Sequence, residues 1–324
     1  MAKLDNRQIY QKTLGFSYRR FFWDFLSFII FVGLMVIGFL VAENTFNLGL
    51  VGLFIGAILG IAAMAIISRF LAYRAKAGQI AMMTKGITED SLPADVIGEG
   101  YKIVKERFST VAAYFAVTSV IKGIFHQIGQ GITAAGKMVG GDTGGAIGGG
   151  VASAVETVIS YLCDCCLGWV FYRKDEKATR ATLEGGAIFF KHGKVLIKNV
   201  GRIFGISLLS FLVVGGVFFG LAYLIMLCFR DAFVGLSAEM VGSADLSDSG
   251  ASFFSDPNNL MLVCAGAVGV IFWLMIHSVF IRPFILVGVL RNFLNSGIND
   301  APTAADYEAI SKKSPKFRKL QESE

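Results

Sequence analysis

Long apolar runs with few or no charges recur along the chain, separated by short segments that hold most of its charge. The first apolar run covers about Phe21–Ala42, and the second, after the short link Glu43-Asn44-Thr45-Phe46-Asn47, about Leu48–Leu71. Later runs cover Val151–Tyr172, Ile203–Phe229 and Leu260–Ile281. An apolar stretch of about 18 residues or more is long enough to cross a bilayer as a helix. The run Val111–Ile121 is too short to do so alone and ends at Lys122. Tyr101, Val104, Phe108 and Val111 share one helical face ahead of it, as in a helix lying along the interface.

This pattern predicts an all-α polytopic integral membrane bundle of about six spans, or four spans plus a re-entrant pair. The chain reads as a single membrane domain over 1–324. Its parts are a basic N-terminal segment (1–20), a cytoplasmic or interfacial segment (72–107), a Gly-rich segment (129–150), an acidic extracytoplasmic loop (230–259) and a tail (296–324).

Charge sets the expected orientation. Arg173–Arg202 holds eight bases against three acids, whereas the loop from Arg230 to Asn259 sets one base against Asp231, Glu239, Asp245, Asp248 and Asp256. With both termini in the cytoplasm, all 30 Lys and Arg fall inside except Lys137, Arg230 and the undecided Lys122. The opposite orientation violates the positive-inside rule. The basic lead Lys3, Arg7, Lys12, Arg19 and Arg20 does not read as a cleavable signal, so the first span is expected to direct insertion into a plasma or inner membrane.

Composition narrows the classes. The chain is 54% hydrophobic and 17% charged, against roughly 25% charged in soluble domains. The net charge of +6 sits beside apolar runs, which topology alone explains, so nucleic acid is not an expected partner and membrane lipid is. No phosphate-binding, zinc-protease or nucleophile-elbow motif occurs, and the chain reads as a non-enzyme without cofactor. Cys163, Cys165 and Cys166 have no partner pair at zinc-site spacing, so no metal is expected.

Two features could carry function. Gly136, Gly140, Gly144 and Gly148 recur every four residues, with Gly141, Gly145 and Gly149 as a parallel row. Small residues at this interval let helix backbones approach, which suggests a homo-oligomer packed through a Gly-rich helix; an extracytoplasmic glycine loop is the other reading. Glu156, Ser160 and Asp164 extend the first row into an apolar stretch. Ionisable groups there tend to face water or a bundle interior, which makes these three the permeation candidates, with Glu156 as a cation-favouring ring.

The order of features from Ser91 onward resembles the membrane half of the choline-transporter-like family. The matching pieces are Pro93 with Tyr101–Arg107, Gly136–Gly150, Cys163–Leu167, the basic linker Arg173–Asn199 and Asn299–Lys313. The family's acidic run after the last span stands here as Leu290-Arg291-Asn292, and no binding residue is carried over. The expected function is a permeation pathway, channel or transporter, with a non-transporting membrane scaffold or assembly protein as the alternative.

Overall fold

A computed structural model describes residues 4–46, 48–67, 71–109, 111–140, 145–197, 200–243 and 248–324. The described residues are helical, with no strand among them. They fall into two compact units, one formed by 1–201 with 283–324 and the other by 202–282.

The first unit begins with α1 (Asn6–Phe46) and α2 (Gly49–Ile67), an antiparallel hairpin. The Gly49 N–H donates to Glu43 Oε2 at 2.8 Å and closes the turn. Gly52, Gly56 and Gly60 line the face of α2 that meets α1, one turn apart. A Cβ on Gly52 would overlap the Gly38 carbonyl, and one on Gly56 the Leu34 carbonyl. Glycine here lets two backbones touch, the usual packing of membrane helices. The opposite faces expose Phe22, Ile37, Phe54, Ile58 and Ile61, a surface suited to lipid rather than water.

Beneath this hairpin, α3 (Tyr73–Thr88) packs against α1, α4 (Val96–Arg107) and α6 (Gly145–Tyr172). Although α3 reads as mixed and polar, Gly78 to Thr84 are buried without a break. Its polar groups find partners: Gln79 Nε2 donates to Ser17 Oγ at 3.0 Å and to the Thr13 carbonyl at 3.4 Å. Two glycines make this closeness possible, since a Cβ on Gly78 or Gly100 would strike the Phe16 ring.

Before α6 runs α5 (Val111–Gly140), and after it α7 (Ala178–Ile197) and the start of α8 (Val200–Ser210). From Tyr161 to Phe171, α6 is buried at every position. In the second unit a π-helical turn, Phe211–Gly215, joins α8 to α9 (Gly216–Cys228). There follow α10 (Arg230–Ser243), α11 (Asp248–Phe254) and α12 (Pro257–Ile276), which ends in a second π turn, His277–Ile281. The first unit is completed by α13 (Arg282–Asn299), α14 (Ala304–Lys313) and α15 (Pro315–Glu322). There the N-terminal segment meets α13: Arg291 donates to Asn6 Oδ1 and to the Leu4 carbonyl, both at 2.6 Å.

Three stretches among the described residues are long and apolar enough to cross a membrane: Asn6–Phe46, Ile203–Cys228 and Pro257–Asn299. A fourth would be the pair Val96–Arg107 and Ala112–Gln127, bent by 81°. The shorter apolar helix α2 lies against α1.

Candidate functional site

Four helices of the first unit surround a part-open cavity of about 220 Å³. Arg20 and Asp24 come from α1, one turn apart, with Arg20 Nε 3.7 Å from Asp24 Oδ2. Tyr73 and Lys76 come from α3, Cys163 and Asp164 from α6. From α5 come Tyr114, Thr118 and Lys122, four residues apart and so on one face of the helix.

The tightest charge contact in the wall is Lys76 Nζ to Asp164 Oδ1 at 2.6 Å. The Asp164 side chain is 6% exposed and that of Lys76 is 30% exposed. A carboxylate so far from water is tolerable only with a cation and further hydrogen bonds around it. Each carboxylate in the wall thus faces a cation, while Lys122 enters no ion pair among the described residues. Three cations against two carboxylates leave the lining with a formal charge of +1. The tyrosines brace the wall, with the Tyr73 and Tyr114 rings 5.0 Å apart and Phe108 edge-on to Tyr114 at 5.5 Å. The Thr118 hydroxyl is turned back on its own helix, donating to the Tyr114 carbonyl at 2.9 Å.

Of the three permeation candidates, only Asp164 lines this cavity. Ser160 and Glu156 precede it on α6 by roughly one and two turns; Ser160 is half-buried and Glu156 exposed. Gly136 and Gly140 end α5, and Gly145, Gly148 and Gly149 begin α6; Gly141 and Gly144 lie outside the described residues. Sequence reasoning did not bring Arg20, Asp24, Lys76 and Lys122 to Asp164. The one local signal was the Arg20–Asp24 spacing at the head of the first apolar run.

The cysteines beside Asp164 are core residues: Cys165 and Cys166 are fully buried, and Cys166 Sγ lies 3.7 Å from the Thr182 carbonyl. In the second unit, His277 Nε2 lies 3.0 Å from Ser207 Oγ, and Trp273 Nε1 donates to Ser210 Oγ at 3.1 Å. These bonds satisfy polar groups along α8, α12 and the π turn that follows α12. No protein-family model, curated protein or solved structure matches the chain.

Proposed function

We propose that the chain is a multi-pass membrane protein that moves a small solute or ion, with the Lys76–Asp164 cavity as its binding point. The observation that carries this reading is the ion pair itself, set in the wall of a solvent-sized space among packed helices. A part-open space of this size with charged walls holds several waters or a small solute. Ionisable groups within membrane bundles commonly mark the path of a substrate or ion. On this reading Asp164, rather than Glu156, is the carboxylate in the wall of the binding point. Both termini lie in the cytoplasm, in a plasma or inner membrane, and the Gly136–Gly149 rows are the seam through which copies associate.

The alternative is a membrane scaffold without transport. In its favour, Lys76 and Asp164 satisfy one another, as a pair that only locks α3 to α6 would. Flux separates the two. Purified protein in liposomes should pass at least one member of a panel of anions, cations and zwitterions, and Asp164→Asn should change that flux at unchanged insertion. Wild-type protein that passes nothing across the panel removes the transport reading and leaves the scaffold.

A further inference from the structure

The charges around the cavity name a ligand class for the same site, and so deepen the transport reading. We propose that the cavity binds a phosphate-type oxyanion, presented by a free solute or by a lipid headgroup.

Asp164 already faces Lys76 at 2.6 Å and Asp24 faces Arg20 at 3.7 Å. A cation entering the cavity would meet carboxylates that are already opposed. An anion would meet Lys122, which no carboxylate among the described residues holds, while Arg20 and Lys76 stay opposed by Asp24 and Asp164. The two carboxylates offset two of the three positive charges, and one oxyanion offsets the third.

The donors come from three helices and therefore from different directions, which suits the several acceptor oxygens of a phosphate. About 220 Å³ has room for several waters at roughly 30 Å³ each, and so for one tetrahedral oxyanion.

Arg20 is the last base before the apolar run from Phe21, so the cavity lies where α1 enters the apolar layer. Basic pockets between membrane helices at that level bind lipid phosphates.

The test uses full-length protein in two arms, with Lys122→Gln and Lys122→Glu as variants. Lys122 is exposed, so both variants should keep the wild-type helical content and elution. In the first arm, delipidated protein in detergent is titrated with inorganic phosphate against chloride at matched ionic strength. Phosphate binding that weakens at least tenfold in Lys122→Gln, and further in Lys122→Glu, supports a free oxyanion. In the second arm, protein from nanodiscs of mixed phosphatidylglycerol and phosphatidylcholine is scored for lipid retained after extraction. Preferential retention of phosphatidylglycerol, lost in both variants, supports the headgroup. Absence of both signals, or signals equal in wild type and variants, overturns the proposal. Neither arm requires flux, so binding without transport would remove the transport reading and leave this one standing.

Discussion

Lys76 and Asp164 join α3 to α6 through a 2.6 Å contact, although neither helix shows from its own sequence that it needs the other. Removing one partner of a buried pair strands the other, at about 3–5 kcal/mol when both are fully buried. Because Lys76 keeps 30% of its side chain in solvent, Lys76→Met should cost somewhat less, about 2–3 kcal/mol. The double variant Lys76→Met/Asp164→Leu should cost less than the sum of the singles, because no charge is left without its partner. Unfolding of the four proteins in mixed micelles measures the coupling, and strict additivity would show that the contact stabilises nothing.

The α1–α2 seam makes an equally direct forecast. A Cβ on Gly56 would collide with the Leu34 carbonyl, a backbone atom that cannot swing aside. Gly56→Ala should therefore destabilise the hairpin by about 1–3 kcal/mol, the usual cost of overpacking. Gly33 lies on α1 with nothing within 4 Å of a built Cβ. Gly33→Ala should be neutral or stabilising by up to about 1 kcal/mol, from helix propensity alone. Equal effects at the two sites would remove the steric account.

These two relationships show what could and could not be read from the chain. Apolar length is a local property, so the runs Phe21–Ala42, Ile203–Phe229 and Leu260–Ile281 are visible in the sequence, whereas the helices around the first and last extend further, over Asn6–Phe46 and Pro257–Asn299. The four-residue glycine spacing is local too; it draws attention to Gly136–Gly148, yet a shorter row at Gly52, Gly56 and Gly60 carries the described seam. The central place of α3 was not legible, because Lys76, Gln79 and Thr84 make it look solvent-facing. Their partners Asp164, Ser17 and the Gly168 carbonyl are supplied only by tertiary contacts. Asp164 could be singled out as a costly charge, but the cation that compensates it lies in a distant segment and follows no motif.

Sidedness can be tested at two exposed serines. Ser255 lies in the acidic loop after α11, and Ser323 follows α15. In a Cys228→Ser background, which removes the exposed native thiol, Ser255→Cys should react with an impermeant maleimide on intact cells. Ser323→Cys should react only after permeabilisation. The reversed pattern would invert the expected orientation. Ser314 is unsuitable for this purpose, being fully buried at the cap of α15.

The same serine anchors the tail. Ser314 Oγ donates to Gln127 Oε1 on α5 at 2.6 Å, the Lys316 N–H reaches the same oxygen at 3.2 Å, and Phe317 is fully buried beside it. Gln127→Ala should weaken tail docking by about 1–2 kcal/mol, since it removes the acceptor for two donors, one of them buried. Faster amide exchange across α14 and α15, with α3 unchanged, is the expected signature. Acid should loosen the start of α14 by a separate route. The Thr303 backbone N–H and hydroxyl both donate to Asp306, at 2.7 and 2.8 Å, and hold its carboxyl below the ordinary value of 3.8. A carboxylate with a lowered folded pKa contributes fully above its unfolded value and loses that contribution as pH falls through the folded one. Protection at α14 should therefore be flat from pH 7 to pH 5 and decline only below about pH 4. Asp306→Asn should remove that acid-dependent step while Gln127→Ala keeps it. A decline already complete at pH 5 would point to a different titrating group.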